Sequence, residues 1–238
     1  MANPGKQPMF DLSAVLREAW ELYTRELTAW LLLGTVFFVS YMVASLTCVG
    51  IFFVFGPLFA GLHVAAFKQL RGEKPEVGDI FAGFHWFGAT CMAGLLYLLG
   101  VSVGFLLCII PGFILMIWWM FAIPLCASHN MGAMDALARS KEMVSRSFTE
   151  FLVFGLVIFL IQMVAGVVPF GQFLVGYPLT TLMVAILIRD LYGLEGALPR
   201  TAPVPPPPPA AGAVPCPRCN APVAQGTRFC TSCGGQVA

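Results

Sequence analysis

The chain has 238 residues, of which 58% are hydrophobic and 11% are charged, and its formal net charge is +1. Soluble domains average about 45–50% apolar and about 25% charged residues, so this composition argues against a soluble globular protein and indicates a membrane protein. A chain this close to neutrality also lacks the concentrated positive charge with which proteins bind nucleic acid, and we do not expect a nucleic-acid partner.

The first predicted element is an amphipathic helix within the N-terminal region, residues 1–27, with Asp11 as a candidate N-cap. Its apolar face is formed by Leu12, Val15, Leu16, Ala19, Tyr23 and Leu27. A second helix of this kind precedes the fifth hydrophobic run, with an apolar face of Met134, Leu137, Ala138, Val144 and Phe148. Such helices lie at the headgroup boundary and orient the segments that follow, an interpretation that we favour over lipid sensing or partner docking.

Six hydrophobic runs are close to the length of about 20 residues that a helix needs to cross a bilayer. They are residues 28–48, 50–67, 88–110, 112–128, 151–168 and 172–189. Breaks rich in Gly and Pro, which favour tight turns, join them in pairs at Cys48-Val49-Gly50, Pro111-Gly112 and Pro169-Phe170-Gly171. We therefore predict an all-α integral membrane protein, with three helical hairpins in a membrane domain at residues 28–192.

The basic residues lie on one predicted side of the membrane. All 13 Lys and Arg residues precede the first hairpin, separate two hairpins or follow the last one, and none lies in a hairpin turn. Because cytoplasmic loops collect Lys and Arg, both termini are predicted to lie in the cytoplasm.

An internal repeat relates the first and third hairpins. A shift of 121 residues places Gly50 on Gly171, Pro57-Leu58 on Pro178-Leu179, Lys68 on Arg189, and Gly72 on Gly193. Since the two copies run in the same direction, we expect a pseudo-symmetry axis along the membrane normal.

Five short motifs within residues 10–192 carry a resemblance to a known family: Phe10-Asp11-Leu12, Gly56-Pro57-Leu58, Arg71-Gly72-Glu73, Pro111-Gly112 and Ala136-Leu137-Ala138-Arg139-Ser140. They resemble a bacterial and archaeal membrane domain that precedes some glycerophosphodiester phosphodiesterases. The resemblance implies a multi-helix domain of the bacterial or archaeal cytoplasmic membrane, without a defined activity. The phosphodiesterase barrel itself needs about 250 residues, and the chain has no room for it.

The composition changes after the last hydrophobic run. Residues 193–214 form a predicted Pro-rich linker with five consecutive prolines at 205–209. Such a run favours the extended polyproline conformation and acts as a semi-rigid spacer, an interpretation that we prefer to a ligand for a proline-recognising domain.

Residues 215–238 contain two C-x-x-C pairs separated by ten residues. The thiolates of Cys216, Cys219, Cys230 and Cys233 are suited to one tetrahedral structural Zn²⁺ site, and the metal would supply the folding energy of so short a segment. Two disulfides are the alternative, which a reducing cytoplasm disfavours. The segment resembles the short zinc-ribbon modules at the ends of bacterial and archaeal membrane proteins, which implies a structural rather than a catalytic metal.

Side chains that could carry chemistry inside the membrane are scarce, since no Asp, Glu, Lys or Arg lies in the central part of a predicted span. We interpret His63 as a hydrogen-bonded packing residue rather than a proton relay, and Gln162 and Gln172 as hydrogen-bonding residues between helices or in turns. The prolines of the second, fourth and sixth runs kink their helices, either for packing alone or to line a small cavity.

From these features we predict a non-enzymatic multi-pass membrane protein that acts as a scaffold and presents its zinc ribbon to a cytoplasmic protein partner. The alternative is a small transporter or channel for an uncharged or lipidic solute, which would use the kinked helices. An enzyme that acts on lipid is the third candidate.

Overall fold

The computed structural model describes residues 10–47, 50–193, 213–215 and 222–224. The chain divides into two compact units, residues 1–198 and residues 199–238. The larger unit contains the predicted membrane domain, and the smaller unit contains the four cysteines of the predicted metal site.

The described part of the larger unit is helical throughout, apart from short connections. Its elements are α1 Leu12–Arg25, α2 Leu27–Ser45, α3 Gly50–Leu70, a 3₁₀ segment Val77–Trp86, α4 Phe87–Leu107, α5 Ile109–Trp119, α6 Ala122–His129, α7 Ala133–Arg146, α8 Phe148–Val167, a π-helical turn Gln172–Gly176 and α9 Tyr177–Tyr192.

Six helical stretches among the described residues are long and apolar enough to cross a membrane, which confirms the predicted number. They are Leu27–Ser45, Gly50–Leu70, Val77–Leu107, Ile109–His129, Phe148–Val167 and Gln172–Tyr192. Most residues of α3 and α9 are buried, whereas α2 and α8 expose many large apolar side chains. The second and sixth spans therefore form the centre of the domain, and the apolar surfaces of the first and fifth spans are suited to lipid contact.

The two ends of this domain differ in their polar groups. We call the end that contains the hairpin turns, near residues 46–47, 108 and 168–171, the turn end. We call the opposite end, where the basic side chains lie, the charged end. Phe170 in the third turn has a positive φ of 65°, and its ring packs edge-on against Phe38 with 5.0 Å between centroids. That contact stabilises a backbone conformation that Phe rarely adopts.

The middle hairpin turns at Cys108, so the prediction of a turn at Pro111-Gly112 was wrong. Cys108 is extended, with φ −172° and ψ 154°, and α5 begins directly after it. Pro111 therefore lies in the first turn of α5, where its missing N–H costs little because first-turn N–H groups have no helical acceptor. Gly112 instead serves packing, since a Cβ on Gly104 would lie 2.8 Å from the Gly112 Cα.

The third span starts with the 3₁₀ segment, which the hydrophobicity pattern did not include. This segment approaches α3 so closely that only glycine fits at two positions. A Cβ on Gly61 would overlap the carbonyl oxygen of Ile80, and a Cβ on Gly83 would overlap that of Pro57. The contact packs the 3₁₀ segment against the middle of α3, backbone against backbone.

Asp79 holds the 3₁₀ segment in place at the charged end. Its carboxylate accepts a hydrogen bond from the backbone N–H of Glu76 at 2.7 Å, which caps the segment. The same carboxylate pairs with Lys68 Nζ at 2.7 Å. The last turn of α3 is thereby joined to the beginning of the third span.

The fourth span is broken into α5 and α6 at Met120 and Phe121. Pro124 contributes to the break because it has no N–H to continue the helical ladder. Ser140 of α7 bonds to the broken backbone: its hydroxyl donates to the Trp118 carbonyl at 2.6 Å and accepts from the Phe121 N–H at 3.2 Å. Irregular backbone within an apolar domain is tolerated where such partners exist.

The element boundaries reproduce the internal repeat. α1 and α7 are both 14 residues long and begin at Leu12 and Ala133, a separation of 121 residues. α2 and α8 begin at Leu27 and Phe148, with the same separation. The repeated unit is thus an amphipathic helix followed by a hydrophobic hairpin.

α1 is fixed to the last span by an ion pair at the charged end. Arg189 of α9 binds Glu18 with both terminal nitrogens, and the Nη2–Oε2 distance is 2.9 Å. Arg189 also donates to Asp190 at 2.8 Å. A bidentate pair of this kind orients the two helices more strictly than a single contact would.

Two short strands are described in the smaller unit. β1 Ala213–Pro215 and β2 Pro222–Ala224 pair antiparallel, with Val214 opposite Val223. The four cysteines Cys216, Cys219, Cys230 and Cys233 lie outside the described residues.

Candidate functional site

A cavity of about 470 Å³ lies among the helices of the membrane domain. Its wall is built by α2, α3, α4, α5, α6, α8 and α9, so every hairpin contributes. Aromatic rings supply much of the lining: Tyr41, Phe52, Phe55, Phe59, Tyr97, Trp119 and Tyr177. Ligand sites in proteins are typically apolar concavities of this size with a few polar groups.

The exposure of the lining residues changes along the cavity. Phe52 and Ser102, which lie towards the turn end, are exposed, whereas His63 and Val184, towards the charged end, are buried. Ile51 and His63 both line the cavity and are twelve residues apart on α3, which corresponds to about 18 Å along a helix. The cavity is therefore elongated, with its more accessible part near the turn end and its floor deep among the helices.

Many lining residues are related by the internal repeat. The shift of 121 residues places Tyr41 on Gln162, Ile51 on Gln172, Phe59 on Thr180 and His63 on Val184, and all eight line the cavity. Tyr41, Ile51 and Phe59, which come from α2 and α3, form an aromatic or apolar wall. Their equivalents Gln162, Gln172 and Thr180, which come from the third hairpin, carry an amide or a hydroxyl. The cavity thus lies between the two copies and has two walls of different polarity.

His63 is fully buried at the floor of the cavity. Its Nδ1 lies 2.9 Å from the Phe59 carbonyl oxygen, and its ring packs edge-on against the Phe59 ring. Because a carbonyl only accepts, Nδ1 carries the proton and donates to it. Nε2 has no hydrogen-bond partner among the described residues.

Gln162 has the second fully buried polar atom of the lining that finds no partner among the described residues. Its Nε2 donates to Thr180 Oγ1 at 3.1 Å, and that hydroxyl donates to the Gly176 carbonyl at 2.9 Å. Since the Thr180 proton is already used, Gln162 must turn its NH₂ group towards Thr180, which leaves Oε1 as the free acceptor. Oε1 is buried and has no partner among the described residues.

The prediction that Gln162 and Gln172 bond between helices or in turns agrees with these contacts. Gln162 of α8 bonds to Thr180 of α9. Gln172 lies in the π-helical turn, and its Nε2 is 3.4 Å from the hydroxyl of Tyr177, the first residue of α9. The sequence could not reveal that Gln162 and His63 face one cavity, because that depends on how the two hairpins pack.

The side chains that line the cavity are suited to binding a molecule rather than to reacting with it. None of the described residues that line the cavity is Asp, Glu, Lys or Arg, so a charged ligand would find no counter-ion in this wall. The polar groups are phenols, amides, hydroxyls and one imidazole, all able to bind a neutral molecule by hydrogen bonds.

The predicted zinc ligands Cys216, Cys219, Cys230 and Cys233 lie outside the described residues, so the metal site remains a prediction. In the part of the chain that the structure describes, no group of three or more His, Cys, Asp or Glu side chains could hold a metal ion. Cys91, Cys108 and Cys126 of the membrane domain are free thiols at separate places in the fold.

Comparison of the chain with protein-family models, curated proteins and solved structures finds no match. The resemblance to the phosphodiesterase-associated membrane domain accordingly stays a prediction, and functional inference rests on the chain's own residues.

Proposed function

We propose that this chain is a non-enzymatic integral membrane protein whose helical domain takes up an uncharged molecule in the cavity between its two repeats. The observation that supports this function is the elongated aromatic cavity with two buried acceptors, His63 Nε2 and Gln162 Oε1, that no described residue satisfies. Uptake of this kind is the first requirement of a small transporter or channel for an uncharged or lipidic solute, the role that we favour for this domain.

A neutral probe tests this function. The dimethyl ether of tert-butylhydroquinone is uncharged, aromatic and small enough for the cavity. We expect it to bind the protein in nanodiscs above the background of empty nanodiscs, measured by equilibrium dialysis. Ser102→Trp should reduce that binding at least tenfold, because Ser102 is exposed where the cavity is most accessible and a Trp there would fill the opening.

The matched control for this test is Val103→Trp. Val103 is the next residue of α4, is 52% exposed, and does not line the cavity. Its substitution adds the same side chain to the lipid-facing surface and should leave binding unchanged. Equal binding by the two Trp variants, or no binding above empty nanodiscs, would show that the cavity takes up no such molecule.

A second function, which belongs to the other unit of the chain, is the presentation of a zinc ribbon to a cytoplasmic protein. It is supported by the strands β1 and β2, which pair antiparallel and flank Cys216 and Cys219 in the sequence. A hairpin that brackets a C-x-x-C pair is suited to a metal knuckle. Under this proposal the helical domain anchors the ribbon at the cytoplasmic face of a cell membrane.

Zinc content tests the ribbon directly. We expect about one Zn²⁺ per intact chain by elemental analysis, since four thiolates complete a tetrahedral site. The double variant Cys216→Ser, Cys219→Ser should lose the metal, while Cys108→Ser, which alters a thiol at the middle hairpin turn, should retain it. Affinity capture with these two variants then tests for the partner. The partner should be recovered with Cys108→Ser, which keeps the metal, and lost with the double variant Cys216→Ser, Cys219→Ser.

A further inference from the structure

We infer that the cavity selects a neutral molecule that carries at least two hydrogen-bond donors, O–H or N–H, on an aromatic or otherwise apolar body. This inference deepens the proposed function, on which it rests, by naming the chemical class of the ligand. It follows from the kind of polar atoms that are left unpartnered and from their positions in the cavity.

The two lining side-chain atoms that are fully buried and have no partner among the described residues are both acceptors. His63 donates through Nδ1 to the Phe59 carbonyl, so in the neutral ring Nε2 offers a lone pair and no proton. The neutral ring is favoured because none of the described lining residues carries a carboxylate that could balance an imidazolium. Gln162 Oε1 is an acceptor by the nature of the amide, once Thr180 has fixed its orientation.

An unpartnered acceptor in an apolar setting is costly, because it has lost its bond to water without a replacement. Other acceptors of this domain are provided with donors: the half-buried Leu174 carbonyl receives the Tyr23 hydroxyl, and the buried Gln69 Oε1 receives Trp30 Nε1. The exceptions in the cavity wall therefore mark places where an incoming donor gains a hydrogen bond that the empty protein does not make.

The two acceptors lie at different depths. Phe59 and Thr180 are equivalent positions of the repeat, and His63 follows Phe59 by four residues on α3. His63 is therefore about 6 Å, one helical turn, closer to the charged end than the level of Thr180, to which Gln162 is bonded. Because the two acceptors lie on different helices and at different levels, we expect a ligand that satisfies both to carry two separate donors.

The walls of the cavity define the rest of the ligand. Phe55 and Phe59 stack along α3 with 5.7 Å between centroids, and Phe59 lies edge-on to Tyr177 at 6.1 Å. Phe55 and Phe59 offer apolar contact from α3, while the amides of Gln162 and Gln172 and the ring of Tyr177 come from the third hairpin. An aromatic diol, whose ring spans the distance between its two hydroxyl groups, fits this division better than a fatty chain or a sugar.

The experiment compares tert-butylhydroquinone, which carries two O–H donors, with its dimethyl ether, in which methyl groups replace both protons, under argon in nanodiscs, with each probe corrected for its uptake by empty nanodiscs. We expect the diol to bind the wild-type protein about tenfold more tightly than the ether, with about threefold from each of the two acceptors. His63→Phe and Gln162→Leu should each reduce this preference, taken as the ratio of the two dissociation constants within one protein, to about threefold or less. His85→Phe is the control, since His85 is exposed and does not line the cavity.

A measurement on the unaltered chain guards against variants that fail to fold. With ¹⁵N-labelled histidine, the Nε2 resonance of His63 should shift when the diol is added and should not shift with the ether. Equal affinities of the wild-type protein for the two probes, or a preference that survives both substitutions, would overturn the inference while leaving the proposed uptake intact. Failure of both probes to bind would overturn the uptake as well.

Discussion

The hydroxyl of Tyr23 shows how one side chain links the amphipathic helix to the centre of the domain. Pro178 has no N–H to offer the carbonyl of Leu174, four residues earlier. Tyr23, only 3% exposed, donates to that carbonyl at 3.0 Å. Burial raises the pKa of Tyr23, so the hydroxyl keeps its proton throughout the neutral range and remains a donor. α1 thus has a structural role beyond covering the membrane surface.

Tyr23→Phe tests this link. We expect a loss of about 1 kcal/mol in the free energy of unfolding, because the substitution removes the side-chain donor of a half-buried carbonyl. Thermal or denaturant unfolding in a mild detergent measures it. In the background of Pro178→Ala, where position 178 regains an N–H, the loss should be smaller. An equal loss in both backgrounds would show that the hydroxyl does not serve the carbonyl freed by the proline.

The roles of individual side chains in the site are what the sequence predicts least well. His63 was interpreted as a packing residue, and its contact with Phe59 agrees with that. The same residue also forms the cavity floor, which follows from the packing of α3 against α9. A sequence gives the chemistry of an imidazole or an amide, but the presence of an unpartnered atom depends on every neighbour in three dimensions.

At the scale of elements, Ser140 illustrates how α7 repairs a break in a neighbouring span. Its hydroxyl bridges the Trp118 carbonyl and the Phe121 N–H, which are the groups left open between α5 and α6. The repeat places Ala19 of α1 at the equivalent position, where the side chain has no hydroxyl to make such a contact. Ser140 is therefore a difference between the two copies, and its hydroxyl bonds to the backbone of the middle hairpin.

Ser140→Ala should destabilise the domain by about 2 kcal/mol, since it removes one donor and one acceptor from buried backbone groups. Thermal unfolding in detergent is again the measurement. Ser145→Ala is the matched control, because Ser145 is exposed on the same helix, and its effect should stay within about 0.5 kcal/mol. If the two variants unfold alike, Ser140 does not hold the broken span together.

The spans themselves were predictable because a bilayer demands length and apolarity, and both can be read from a sequence. The limits of every predicted span except the third lie within three residues of the observed ones, and the third span begins eleven residues earlier than predicted. The turn at Cys108 was missed because Pro111 and Gly112 have uses other than reversal, at the start of α5 and at its crossing with α4. The 3₁₀ segment was missed because its apolar residues follow no regular helical pattern.

At the scale of the whole molecule, duplication and divergence explain where the cavity lies. Two copies of an amphipathic helix and a hairpin place α3 and α9 side by side at the centre. Equivalent positions then face one another across the space between the copies, and substitutions on one side, such as Gln162 for Tyr41, give the walls different polarity. The middle hairpin closes the remaining side.

The orientation of the whole domain in the membrane follows from the separation of its two ends. The charged end gathers Lys68 with Asp79, Arg189 with Glu18, and Arg139 over the Tyr192 ring at 5.4 Å, whereas the turn end has apolar side chains. Because basic segments are retained in the cytoplasm, the turn end should face outwards.

Alkaline phosphatase, which is active only outside the cytoplasm, tests this orientation when it is inserted at single positions. Insertions after Thr47, Cys108 and Phe170 should be active, and insertions after Gly72 and Gly132 should be inactive. A fluorescent protein that matures only in the cytoplasm should give the reverse pattern at the same positions. Activity after Gly72 would place the charged end outside, and the ribbon would then face an oxidising compartment, where paired disulfides become the better assignment of its four cysteines.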